Sequence, residues 1–123
     1  QGATVTIGLP VSFTTTAASL DGAQAVLPAT GQLRTFAGIA IHTTPNNGIG
    51  IARAFGFFQS VAIFAHGTSV TIAIDSPMGP GPSSLGVSSA GVILQNGFVV
   101  AVEAAGALVC SAGGYIRGFI RSL

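Results

Sequence analysis

Gly56–Asp75 reads GFFQSVAIFAHGTSVTIAID, and the placement of this stretch decides the fold. It carries no formal charge before Asp75, and its apolar residues do not recur at the i, i+3, i+4, i+7 spacing of an amphipathic helix. Two short apolar runs, SVAIFAH and VTIAID, meet at the turn-like HGTS, so the stretch reads as a core β-hairpin apolar on both faces. Strands of that kind are covered on both sides, either inside a domain or by a neighbouring subunit. A spanning helix is disfavoured: the window from Phe55 to Ile74 contains Gln59, Ser60, His66, Thr68 and Ser69. The chain also has no tryptophan, one tyrosine and no flanking basic cluster to anchor such a span. The first residues show no basic start followed by an apolar run of signal-peptide type.

Outward from the hairpin the pattern stays β-like. TVTIGLPVSF, residues 4–13, alternates Val5, Ile7, Leu9, Val11 and Phe13 with smaller or polar residues, which predicts a strand with one buried face. Pro10 cannot donate to a ladder, so this strand is expected at a sheet edge or paired to another chain. Asp21-Gly22 marks a turn, and only TAASLDGAQAVL, residues 16–27, has a helical alternative. TFAGIAIHTT is a strand closed by the turn PNNG, Pro45 to Gly48, and IGIARAFGFF continues into the opening stretch. SPMGPGPSSLG, with three prolines and three glycines in eleven residues, reads as irregular punctuation. GVILQN, GFVVAVEAA, ALVCSA and YIRGFIRSL follow as short apolar runs between glycine-rich breaks. Six to nine short strands with such turns predict an all-β fold, a small β-barrel or β-sandwich. We divide it into an N-terminal arm or edge strand with its loop, residues 1–34, and a barrel or sandwich domain, residues 35–123.

The 123 residues suit one domain and bury enough surface to fold without a disulfide or a metal. Cys110 is alone and reads as a small buried hydrophobe. Charge is the anomaly. Asp21, Asp75 and Glu103 face Arg34, Arg53, Arg117 and Arg121, there is no lysine, and charged residues make up 6% of the chain. An ordinary globular protein carries about a quarter. A chain of net charge +1 has little electrostatic protection against self-association, so much of its surface is expected to be covered.

The residues offer little to catalysis. A hydrolytic triad needs a nucleophile, a base and an orienting acid in one place; only His42 and His66 supply imidazoles, and no Gly-x-Ser-x-Gly elbow occurs. Asp75 across the hairpin from His66 is the nearest approach to such a set, and a turn or interface histidine is the simpler reading. Three acids give no evident glycosidase pair, and each is expected to pair with an arginine or cap a turn. Clustered metal-ligand spacing and a complete phosphate-binding loop are both missing from the sequence. No enzyme activity, cofactor or metal is expected. In YIRGFIRSL a strand would place Tyr115, Arg117, Phe119 and Arg121 on one face with Ile116, Gly118 and Ile120 on the other. Two arginines release few counterions, so no nucleic-acid partner is expected, and a salt bridge or a subunit contact is preferred. Arginine without lysine fits protein contacts, where arginine is enriched and lysine depleted. The candidate subunit-interface residues are therefore Val5, Ile7, Leu9, Arg34, Arg53, Phe58, Tyr115, Arg117, Phe119 and Arg121.

Gly38-Ile39-Ala40, Gly56 with Val61 and Ile63, Gly67-Thr68-Ser69-Val70 and Ile116-Arg117-Gly118-Phe119 stand in glycine-punctuated strands between residues 35 and 123. In this spacing the chain resembles the decoration, or cement, proteins of tailed-phage capsids. The resemblance implies a structural virion protein with no catalytic residues, commonly a homotrimer on the capsid surface, clamping adjacent major capsid subunits. If residues 1–16 are an extended arm, it could add a strand to a neighbour, with docking in cis or in trans left open. Other virion modules of tail, fibre or head vertex are the alternative, with a carbohydrate-binding or adhesion module behind them, since the chain has few planar aromatics for sugar stacking.

Overall fold

The computed structural model describes residues 3–14, 24–28, 35–65, 70–81, 86–88, 98–104, 106–108 and 113–122. Eleven strands are found there and no α-helix: β1 (Pro10–Phe13), β2 (Ala25–Val26), β3 (Phe36–Ala40), β4 (Ala52–Arg53), β5 (Phe55–Phe64), β6 (Val70–Ile72), β7 (Pro77–Pro80), β8 (Val87–Ser88), β9 (Val99–Ala101), β10 (Gly106–Leu108) and β11 (Gly113–Arg121). The protein is all-β. Strands β11, β5, β8, β7 and β9 close a barrel, β2, β1, β3 and β4 form a four-stranded sheet, and β6 pairs with β10.

The barrel is built on the antiparallel pairing of β5 with β11, which runs from Gly113↔Phe64 to Arg121↔Phe55. Ile116 lies opposite Val61 and Gly118 opposite Phe58, so two steps along β11 match three along β5. That extra residue, at Gln59-Ser60, is a β-bulge, and it reverses which residues of β5 face inward. Beyond the bulge Val61, Ile63 and Ala65 join the core, while before it Phe58 packs against the core and Phe55 and Phe57 point out. β11 keeps strict alternation, with Ile116, Gly118 and Ile120 buried and Tyr115, Arg117, Phe119 and Arg121 exposed. Its face assignment agrees with the period-two reading of the sequence.

One core fills the barrel and reaches the second sheet. Ile72, Met78, Val87, Val99 and Ile120 are fully buried and share a cluster with Phe36 and Ile39 of β3. Full burial of a side chain of this size contributes about 1.5–3 kcal/mol against its exposed state. The Phe36 ring meets Phe98 at 5.0 Å, and Ser122 ties the end of β11 to the second sheet: its Oγ donates to Ala37 O of β3 at 3.2 Å, and its N–H donates to Ala54 O, between β4 and β5, at 2.9 Å.

Several expectations need correction. The Gly56–Asp75 stretch is not a hairpin: β5 pairs with β11 and β8, and β6 pairs with β10. The second half of β5, Val61 to Phe64, is apolar on both faces because this chain covers both. Gly8 O accepts from Ala62 N–H at 2.9 Å, and the Phe64 ring lies where a side chain at Gly81 would have to go. The 4–13 alternation does not form one strand, because the chain turns at Thr6–Gly8, with Leu9 N–H donating to Thr6 O and Gly8 at φ +88°. β1 is also not an edge strand. It lies between β2 and β3, and Pro10 is tolerated there because β2 pairs only with Ser12 and Phe13. Residues 3–14 dock on their own chain, through Val5–Thr44 hydrogen bonds of 2.9 and 2.8 Å and the β1–β3 ladder. Ala25 and Val26, inside the helical alternative, are strand residues.

The proline-rich stretch read as irregular contains β7. Its two halves have different partners, Pro77 and Met78 facing β9, Gly79 and Pro80 facing β8, so each proline sits at a strand end beside one described neighbour. The Asp21-Gly22 turn, the HGTS turn, the GVILQN run and Cys110 lie outside the described residues.

β8 runs parallel to β5 at Ile63↔Val87, and the approach to it depends on Gly86. That residue has φ +151°, and a Cβ there would lie 2.5 Å from Ala62 O. Gly86→Ala is expected to destabilise the fold by about 1–3 kcal/mol or more, read as a lowered denaturant midpoint. A shift within about 0.5 kcal/mol of the parent would show that β8 does not approach β5 this closely.

Candidate functional site, an exposed aromatic face

The outer face of β5 and β11 is the most distinctive surface of the molecule. Cross-strand register sets Phe57 opposite Phe119 and Phe55 opposite Arg121, all on the side away from the core. Phe55 and Phe119 meet edge to face with ring centroids 5.2 Å apart, the arrangement favoured by aromatic quadrupoles. Phe55 is 63% exposed, Phe57 43%, Tyr115 59% and Phe119 36%. An exposed apolar patch of this kind often marks an interaction site.

Two polar features border the rings. Arg117, between Tyr115 and Phe119 on β11, donates through Nε to Glu103 Oε2 at 2.8 Å, and its backbone N–H donates to Glu103 Oε1 at 2.7 Å. Glu103 thus holds the strand and the guanidinium together, as expected of an acid paired with arginine. The Arg117 N–H first, and the guanidinium hydrogen bond after it, hold the Glu103 carboxyl below the usual glutamate range. Near Phe57, Arg53 Nη1 donates to Phe57 O and the guanidinium carbon lies 5.8 Å from the centre of the Phe58 ring.

A second apolar surface lies on the four-stranded sheet. Val5, Val11, Val26, Leu27, Ile49 and Ile51 line a groove of about 410 Å³ between β1, β2 and the loop that leads into β4. Ile49 on its rim is 96% exposed. The turn beneath it is set by Gly48 N–H donating to Pro45 O at 2.9 Å and by Asn47 at φ 61°. Thr44, which also lines the groove, contacts His42 Nε2 through its hydroxyl at 3.3 Å. That pair has the reach of a nucleophile and a base, yet among the described residues it has no orienting acid: Glu103 is engaged with Arg117, and Asp75 sits in the 73–76 turn at φ 67°. Among the described residues no three His, Cys, Asp or Glu side chains come together as a metal site would require. No helix among them is long and apolar enough to cross a membrane.

The proposed interface residues divide accordingly. Tyr115, Arg117, Phe119 and Arg121 do share one outer face. Phe58 is not on it: the bulge turns it inward against the core. Val5, Ile7 and Leu9 do not form one face, since the Thr6–Gly8 turn separates them; Val5 lines the groove, Ile7 is exposed and Leu9 is half-buried. Arg53 binds its own chain, and Arg34 lies outside the described residues. Phe55 and Phe57 were missed as surface residues, although their alternation with Gly56 and Phe58 carried the signal. Ile49 and Ile51 were missed too, being read as strand.

Comparison with protein-family models, with curated proteins and with solved structures gives no match.

The Glu103–Arg117 contact predicts a signed pH dependence. A carboxyl whose pKa is lower when folded contributes stability above the ordinary glutamate pKa and loses it as pH falls through the folded value. Glu103→Gln is therefore expected to lower the thermal midpoint modestly at neutral pH, with the gap to the parent closing below about pH 4. A gap that stayed constant down to pH 2 would show that the ion pair is not its source.

Proposed function

We propose that the protein is a structural assembly component, a cement protein of a virus shell, which associates with copies of itself and bridges adjacent shell subunits. The observation that carries this reading is the pair of uncovered apolar surfaces, the aromatic face of β5 and β11 and the groove with its projecting Ile49, on a chain with only 6% charged residues. A bridging protein needs two such surfaces, one for its own copies and one for the shell. Each contributes about 25 cal/mol per Å² of apolar area removed from water, offset in part by the cost of ordering and association. Across many copies such contacts resist the outward pressure of a packed genome. The resemblance of its glycine spacing to that of phage decoration proteins supports the shell assignment, and a homotrimer on the capsid surface is its expected form.

Light scattering on the purified chain over a wide concentration range tests the reading. The expected result is an oligomer, about three times the 12.1 kDa of the chain, and co-sedimentation with undecorated phage heads. A species that stays monomeric up to millimolar concentration and leaves the heads in the supernatant would refute it.

A further inference from the structure

The geometry points to the outer face of β5 and β11 as the surface through which two copies of this chain meet, side chain against side chain. This rests on the self-association proposed above and names its contact surface.

Three observations select a second copy as the occupant. First, β11 lies between β5 and β9, and on β5 the Phe57 carbonyl is taken by Arg53 Nη1, so what this face offers is side chains. A partner packs on it side chain against side chain. Second, the rings supply about half of the area that one partner needs, enough for the apolar centre of a contact. With aromatic side chains of 150–250 Å² each, the four exposed rings present about 400 Å². A standard interface buries about 800 Å² per partner, with an apolar centre and a polar rim. The rings supply the centre, around the paired Arg117 and Glu103, and Gln59 and Arg121 supply part of the rim. Third, charge is balanced between the rings. Glu103 pairs with Arg117 there, so a second copy of the same face meets no net charge at its centre, while Arg121, opposite Phe55, lies at one end. A nucleic-acid surface would carry a longer basic stripe than these residues give. The edge-to-face Phe55–Phe119 pair carries both the electropositive rim and the electronegative face of an aromatic ring, and an identical pair complements it.

The test measures self-association of the full chain by sedimentation equilibrium for the parent, for Phe55→Ser/Phe57→Ser, for Gln59→Arg and for Ile49→Ser. Circular dichroism and a denaturant midpoint establish that each variant folds. The double serine variant is expected to weaken association at least about thirtyfold, the loss typical of an interface hot spot. Gln59→Arg leaves the rings intact and brings like charges together across the contact, so it is expected to weaken association at low salt and to recover at high salt. Ile49→Ser, on the groove side, is expected to leave association unchanged.

An oligomeric parent whose Phe and Gln59 variants assemble as tightly as it does would overturn this face while leaving self-association standing. A parent monomeric at every concentration would overturn both. Oligosaccharide binding by a monomeric parent, lost in the Phe variant, would also overturn the proposal and assign the rings to sugar stacking.

Discussion

The ladder between β5 and β11, with its single extra residue at Gln59-Ser60, is the constraint on which the rest of the molecule depends. Side chains in a strand alternate strictly, so a regular ten-residue β5 would hold Phe55, Phe57, Val61 and Ile63 on one side. The bulge breaks that arithmetic. It lets Val61 and Ile63 fill the barrel while Phe55 and Phe57 are turned out beside Phe119. The same irregularity thus makes both the core and the exposed aromatic face, and it ties the interior packing of the barrel to its surface chemistry.

From this follows a division of labour along one strand. Past the bulge, β5 is sealed on both sides by its own chain, inwardly by the barrel core and outwardly by the Gly8 segment and the Gly81 backbone. Before the bulge the outer side is left open, and what stands there is aromatic. A ladder without the extra residue would put Phe55 and Phe57 on the same side as Val61 and Ile63, so their exposure is a consequence of register. The Glu103–Arg117 contact then serves two purposes, pinning β11 beside the β9 end of the barrel and removing net charge from the middle of the open face.

What was legible in the sequence was whatever obeyed period two without interruption. YIRGFIRSL shows its two faces directly because β11 contains no extra residue, and the PNNG turn is marked by residues that accept its backbone geometry. The all-β class was legible for the same reason. The β5 parity change was not: a bulge has no obligatory residue here, and Gln59-Ser60 looks like any polar pair. Apolar alternation at 4–13 misled because Gly8 permits a left-handed turn that the hydrophobic pattern does not announce. Prolines misled at 77–80, where the strand is joined on one side per residue pair and has no need of their missing N–H groups. Partner strands were likewise invisible. Nothing in VTIAID says that it joins Gly106–Leu108 and leaves β5 to pair with a segment some fifty residues away.

The central claim, that the rings turned outward by the bulge are covered by another copy, is tested most directly by hydroxyl-radical footprinting of the unaltered protein across the concentration range in which it assembles. The account predicts that Phe55, Phe57, Tyr115 and Phe119 lose reactivity together as concentration rises, while Ile49 in the loop that leads into β4 keeps its own. Reactivity of the four rings that stays at its dilute-solution value while the protein assembles would contradict it.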